Sequence, residues 1–126
     1  VAGLAFSNTT TAAAHSMSYP LTIHYGIPHG VASSISLIPL LKINRESIQQ
    51  TLSRICKKNK LTFQQLIKRI ESIPKGVIPY TLNAWGVKES ELHKLAEESF
   101  TKGRMDNNIV DLDITDVINI FRLVYN

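Results

Sequence analysis

Four histidines are the residues of this sequence best suited to bind a metal ion or to transfer a proton: His15, His24, His29 and His93. His15 lies near the end of the first predicted helix, and His29 opens the next one. A turn between the two helices would bring these two residues together. Their spacing of fourteen positions is looser than that of structural zinc motifs. Residue chemistry alone therefore leaves two interpretations, a pair of metal ligands or two hydrogen-bonded histidines at helix ends.

The residues next to the two histidines are suited to fixing the orientation of a functional side chain. Pro28 fixes the backbone before His29, and Gly30 would let another segment approach closely. Tyr19 follows His15 by four positions, which places both on one helix face. Its phenol could donate a hydrogen bond near whatever His15 binds, or Tyr19 could be a core residue.

The other candidate groups give weaker signals. His93 is interpreted as a surface residue on an amphipathic helix, and His24 is as readily structural or exposed as functional. The single cysteine, Cys56, is most simply a buried or half-buried free thiol, with a redox or nucleophilic role as the alternative. Ser16 and Ser18 are interpreted as ordinary helix residues. The sequence contains no GxGxxG motif and no Gly-rich turn before a helix, so a nucleotide-binding site is not expected within it.

Composition predicts one globular domain that is not secreted. The chain has 126 residues, of which 44% are hydrophobic and 19% charged. One cysteine excludes an internal disulfide framework, and no apolar run approaches the roughly 20 residues of a membrane span. Val1 opens an apolar run without a basic segment, which argues against a signal peptide and suggests a piece of a longer chain. These features together predict a cytoplasmic location.

Positive charge is concentrated between residues 42 and 69, a segment that contains eight basic residues and only one acidic residue, Glu46. Such a basic block could contact nucleic acid or an acidic partner, which would make the chain a freestanding helical interaction module. Phe63 is the only aromatic residue within the block, so a platform for stacking bases is not evident. Two solvated helix faces are therefore the favoured interpretation, and no nucleic-acid or membrane partner is predicted.

Hydrophobic periodicity predicts an all-α fold of five or six helices in one bundle-like domain, without alternating strand patterns. The first helix is expected over residues 1–19, ended by Pro20, and residues 20–28 form a connection. An apolar run over 31–41 predicts a central helix, which Pro39 should kink or close.

The remaining helices are predicted from their apolar stripes and end signals. The stripes consist of Ile48, Leu52 and Ile55; of Phe63, Leu66, Ile67, Ile70 and Ile73; of Leu92, Leu95, Ala96 and Phe100; and of Ile114, Val117, Ile118, Phe121 and Tyr125. Thr62 and Gln65 predict a capping box. The helix that follows it should end before Pro74, and Trp85 should hold down a loop over 74–87. Gly103 is expected to cap the helix predicted over Glu89–Lys102, and the last helix should begin near Asp113.

Three short runs near the start of the sequence form a recognisable pattern. They are Ala2-Gly3-Leu4-Ala5-Phe6-Ser7-Asn8, His15-Ser16-Met17-Ser18-Tyr19-Pro20-Leu21 and Ile27-Pro28-His29-Gly30-Val31-Ala32. With the tail Asp106-Asn107-Asn108 and Leu112-Asp113-Ile114-Thr115-Asp116-Val117, this pattern resembles the iron-containing (group III) alcohol dehydrogenases. The resemblance is specific over residues 1–32, moderate over 106–126, and limited to helical pattern between them. It implies a C-terminal helical domain over 1–126, of the type related to dehydroquinate synthase.

The resemblance also implies a function. By this resemblance, His15 and His29 are expected to be ligands of Fe²⁺, with Zn²⁺ as the alternative ion. An aspartate and a histidine upstream of this chain would complete the site, and the NAD(P)-binding domain would also lie upstream. The implied reaction is the reversible reduction of an aldehyde or ketone, with the metal polarising the substrate oxygen. The implied partners are the enzyme's own N-terminal domain and a small alcohol or aldehyde. A homodimer is left open, and the isolated chain is expected to be inactive.

Tyr19 departs from the common pattern of the family. Many members carry a second histidine four residues after the first ligand, near the nicotinamide and the substrate. Tyrosine changes the group that is available for proton transfer, so Tyr19 is the candidate catalytic residue. The run Ser18-Tyr19-Pro20 resembles the variant in a subset of the family that includes phosphonoacetaldehyde reductase-like enzymes.

Overall fold

The structure, a computed structural model, describes residues 11–126, and the secondary structure in this part of the chain is helical, with no strand. The first ten residues of the helix predicted over 1–19 lie outside this range. The prediction of an all-α bundle is confirmed. The described residues form seven α-helices, namely α1 (Ala13–Tyr25), α2 (His29–Ile35), α3 (Leu37–Ile43), α4 (Gln49–Asn59), α5 (Phe63–Ser72), α6 (Leu92–Glu98) and α7 (Ile114–Leu123). Three short 3₁₀ turns occur at Asn83–Trp85, Glu89–Glu91 and Met105–Asn107.

Helix α1 continues through Pro20, so the prediction that Pro20 ends it was wrong. Proline inside a helix removes one hydrogen bond and costs about 3 kcal/mol. Here Met17 and Leu21 are completely buried on either side of it, and burying such side chains recovers about 1.5–3 kcal/mol each. The helix ends instead at Gly26, which is left-handed with φ of 63° and donates its N–H to the carbonyl of Thr22.

The apolar run over 31–41 forms two short helices rather than the predicted single one. The break between α2 and α3 lies at Ser36, three residues before Pro39. Pro39 therefore occupies the first turn of α3, where backbone N–H groups have no partner within the helix and proline is tolerated. With this split, residues 11–126 contain seven α-helices, whereas five or six were predicted for the chain.

Helices α4 and α5 pack together as a hairpin beside the main core. The capping box of Thr62 and Gln65 is confirmed, and α5 ends before Pro74 as predicted. Ile67 is buried, but Ile73 is 72% exposed because the helix stops one residue before it. Ile55 of α4 is also exposed, so two of the residues predicted to face the core do not.

The segment from Trp85 to the C-terminus confirms some of the predictions and corrects others. Trp85 packs against the core and donates its indole N–H to the carbonyl of Pro79, as the loop prediction required. Helix α6 ends at Glu98, so Phe100 lies beyond it and is exposed rather than part of its inner stripe. Gly103 stands in a later turn and does not cap this helix. Helix α7 begins after Asp113, whose side chain forms a capping box with Asp116.

One core cluster holds α1, α2, α6 and α7 together. Its largest completely buried side chains include Met17, Leu21, Leu95 and Phe121. Tyr80 anchors α2 from outside by donating its hydroxyl to the carbonyl of Ser34. The packing of α1 against α2 matters most for the site described next, because each helix contributes one histidine. No helix in the range 11–126 has the length and apolar character to cross a bilayer.

Candidate metal centre

A tight connection between α1 and α2 brings the two histidines together. Gly26 turns the chain, Ile27 is completely buried and anchors the connection, and Pro28 precedes the first residue of α2, His29. The carbonyl of Pro28 accepts the N–H groups of Val31 and Ala32 at 2.8 and 3.0 Å, which fixes the start of α2. His29 therefore extends from the first turn of α2 towards α1.

The imidazole rings of His15 and His29 are neighbours. Their centroids lie 5.3 Å apart and their planes are inclined by 59°. His15 is half-buried on α1 and His29 is exposed. Two imidazoles that bind one ion through ring nitrogens at about 2.1 Å, at a near-tetrahedral angle, have centroids about 5 Å apart. The spacing of this pair therefore fits two ligands of one metal ion.

Ser18 contacts the backbone of His15 and the side chain of His29. Its side chain is completely buried on α1. Its hydroxyl donates to the carbonyl of His15 at 2.7 Å, and its Oγ lies 3.3 Å from Nδ1 of His29. The serine was interpreted as an ordinary helix residue because its link to His29 exists only after α1 and α2 have packed together.

Tyr19 lies on the same side of α1 as the histidine pair. Its ring centroid is 5.9 Å from that of His29, with the planes inclined by 35°. The guanidinium carbon of Arg104 stacks over the Tyr19 ring at 4.5 Å from its centroid, a cation–π contact. The structure thus places the three predicted site residues together and adds Arg104, whose position sequence periodicity could not indicate.

The other candidate residues lie away from this cluster. His24 stands in the last turn of α1 and pairs with Glu98 at the end of α6, so it belongs to a helix and not to the predicted connection. His93 is on the surface, as predicted, at 3.7 Å from Glu97. Cys56 is half-buried in a groove between α4 and α5.

The basic block has the character of solvated helix faces. Its basic side chains are exposed, and the Arg45 guanidinium stacks on Phe63 at 4.5 Å. Phe63, the one aromatic residue of the block, is therefore already covered by a side chain of this protein. This arrangement agrees with the favoured interpretation over that of a surface for stacking bases.

The histidine pair is not a complete metal site within the described part of the chain. Between residues 11 and 126, no group of three or more His, Cys, Asp or Glu side chains is arranged to hold an ion. The described residues also leave open space around Gly30, since a Cβ at this position would meet no described atom within 4 Å. The close approach that was expected at Gly30 is thus not made by residues 11–126.

Comparison with known proteins gives a match along the whole chain. The family model described as "Fe-containing alcohol dehydrogenase family, C-terminal" matches residues 1–125. The NADPH-dependent butanol dehydrogenase of Clostridium saccharobutylicum is 28% identical over 137 residues, which cover 99% of this chain and 35% of that protein. The 4-hydroxybutyrate dehydrogenase of Clostridium kluyveri is 25% identical over 135 residues, 98% of this chain and 36% of that protein.

A solved structure has the same fold. The crystal structure of a 1,3-propanediol oxidoreductase superposes with a TM-score of 0.77 at 22% identity, over 90% of this chain and 32% of that one. The chain therefore spans about a third of the length of the proteins that it matches.

Proposed function

The chain belongs to the iron-containing alcohol dehydrogenase family. From that membership we propose that it is the C-terminal, metal-binding domain of a longer enzyme. That enzyme would interconvert alcohols and aldehydes or ketones with NAD(P). The observation that supports a metal-dependent reaction is the pairing of His15 with His29, 5.3 Å apart between ring centroids. The relatives carry names of alcohol or aldehyde oxidoreductases.

We assign His15 and His29 as two of the metal ligands. Imidazole nitrogen is a suitable ligand for Fe²⁺ and for Zn²⁺, so the residue types do not select the ion. The bound ion would act as a Lewis acid on the substrate oxygen. Because only these two candidate ligands lie together within residues 11–126, the remaining ligands would come from elsewhere, which agrees with an aspartate and a histidine upstream of this chain.

An N-terminal domain would also supply the nucleotide site. The relatives are about three times longer than this chain, and the sequence holds no phosphate-binding glycine motif. The two halves would form the active site between them, with the histidine pair on the helical side. The compartment would be the cytoplasm, as the sequence predicts.

Tyr19 is the residue that we assign to proton transfer. It stands one turn beyond His15 on α1, and its ring neighbours that of His29. A phenol at this position can hold a proton beside a substrate oxygen, and the Arg104 guanidinium stacked on its ring restricts where the hydroxyl can lie. His15 and His29 would hold the ion in this arrangement, and the Tyr19 hydroxyl would donate a proton to the substrate oxygen or accept one from it.

The test compares the full-length enzyme with the isolated 126-residue chain. Butanal reduction by NADPH and by NADH is followed at 340 nm, and bound metal is counted by elemental analysis. We expect turnover and about one ion per chain for the full-length enzyme, and little of either for the isolated chain. A full-length protein that turns over without any divalent metal would overturn the proposal.

A further inference from the structure

Ser18 occupies an unusual position between the two candidate ligands. It has no exposed surface and lies on α1 between His15 and Tyr19. Its Oγ is 2.7 Å from the carbonyl oxygen of His15 and 3.3 Å from Nδ1 of His29. The first contact lies within α1, and the second crosses from α1 to α2.

The hydrogen positions follow from simple counting. A serine hydroxyl carries one hydrogen and can accept through its lone pairs. The carbonyl of His15 can only accept, so the Ser18 hydrogen is used in that bond. The Ser18 oxygen can then engage Nδ1 of His29 only as an acceptor. Nδ1 of His29 must therefore carry the hydrogen, which leaves the lone pair of a neutral ring on Nε2.

We propose that Ser18 is a positioning residue that holds His29 in the Nδ1–H tautomer, so that Nε2 is presented to the metal ion. This inference rests on the proposed function, since it assumes that His29 is a ligand. Metal-binding histidines generally donate their second ring nitrogen to an acceptor that fixes the tautomer and the ring orientation. Ser18 would be that acceptor, and its bond to the backbone carbonyl of His15 would hold the hydroxyl in the accepting orientation.

A purely structural role for Ser18 would look different. Serine hydroxyls often bond to a carbonyl one turn earlier in a helix, and such a bond alone has no functional meaning. Ser16, on the same helix, provides the comparison, because it is equally buried but donates to the carbonyl of Ser99, just after the end of α6. What distinguishes Ser18 is the contact across helices to an imidazole that faces a second imidazole.

The test uses Ser18→Ala in the full-length enzyme, with Ser16→Ala as the matched control for loss of a buried hydroxyl. Ring ¹⁵N shifts of the metal-free protein report the tautomer of His29, and competition with a chromogenic chelator gives the Kd for Zn²⁺. We expect the Nδ1–H form in the unsubstituted protein and in Ser16→Ala. In Ser18→Ala we expect a shift towards the Nε2–H form and roughly tenfold weaker Zn²⁺ binding, the lower end of the range for such partners.

The possible results separate this inference from the proposed function. An unsubstituted protein that does not bind Zn²⁺ refutes the ligand assignment itself. If it binds Zn²⁺ but Ser18→Ala leaves both the tautomer and the Kd unchanged, the role of Ser18 is refuted and the metal site stands. Ser18→Thr keeps the hydroxyl and should recover the Nδ1–H form, and a failure to do so in a folded protein would also count against the inference.

Discussion

The ring centroids of His15 and His29 lie 5.3 Å apart, although the residues belong to different helices and are separated by fourteen positions. The distance is set by the connection between α1 and α2. Gly26 allows the reversal, and buried Ile27 fastens it to the core. A pair of ligands created by a helix–turn–helix connection depends on the geometry of that turn as much as on the histidines.

Substitution of either histidine should remove the metal from the full-length enzyme. We expect His15→Ala and His29→Ala each to lose bound metal and turnover, because a site deprived of one imidazole holds the ion weakly. Elemental analysis after dialysis gives the metal content. His93→Ala is the matched control, since His93 is on the surface away from the pair, and it should keep both metal and activity. Normal metal content in His15→Ala would contradict the ligand assignment.

The turn itself can be tested through its glycines. Gly26 has φ of 63°, so Gly26→Ala forces an alanine into the left-handed region at a cost of about 1–2 kcal/mol. Gly30 lies within α2 with open space around it, so Gly30→Ala should stabilise the protein by about 0.5 kcal/mol. Urea denaturation measures both changes. Equal effects of the two substitutions would mean that the left-handed turn is not what constrains residue 26.

Tyr25 should make the stability of the protein depend on alkaline pH. Burial, followed by the hydrogen bond to Glu91 and the charge of that carboxylate, raises the pKa of Tyr25 from 10.0 to about 12. Between pH 10 and 12 the unfolded chain has lost this proton while the folded protein retains it. The contribution of Tyr25 is therefore fully present below pH 10 and is lost as the pH rises towards 12.

The variant that tests this is Tyr25→Phe. Its urea midpoint should fall less between pH 10 and 12 than that of the unsubstituted protein, although at pH 7 it should be less stable by about 1 kcal/mol through loss of the hydrogen bond to Glu91. Glu91→Gln removes the carboxylate charge and should bring the tyrosine absorbance transition at 295 nm to lower pH. Parallel curves for Tyr25→Phe and the unsubstituted protein would argue against the raised pKa.

Local signals in the sequence predicted local features well. Thr62 with Gln65, and Asp113, mark helix starts where the structure has capping boxes. Errors arose where burial overrode a local rule and where a helix ended earlier than predicted. Pro20 did not end α1 because Met17 and Leu21 on either side are in the core, and Phe100 left the core because α6 stops at Glu98.

The candidate site was predictable only in part. His15, His29 and Tyr19 could be singled out by their residue types, their neighbours and the family pattern. Ser18 and Arg104 could not, because their contacts to His29 and Tyr19 form only when separate segments of the chain pack together. No periodicity within α1 distinguishes Ser18, which contacts the site, from Ser16, which contacts Ser99.

The substitution Tyr19→Phe tests whether the Tyr19 side chain transfers a proton or only packs in the site. The substitution removes the hydroxyl but keeps the ring on which Arg104 stacks and which neighbours His29. If the phenol transfers a proton, kcat should fall by about 10²–10⁴-fold, while metal content and the Kd for the nucleotide stay unchanged. Arg104→Ala tests whether the stacked guanidinium positions the phenol, because this substitution keeps the Tyr19 hydroxyl and removes the group that stacks on the ring. Arg104→Ala should lower kcat less than Tyr19→Phe does. The kcat of Arg104→Lys should lie between that of Arg104→Ala and that of the unsubstituted enzyme. A Tyr19→Phe enzyme with unaltered kcat would leave Tyr19 as a packing residue and assign the proton to another group.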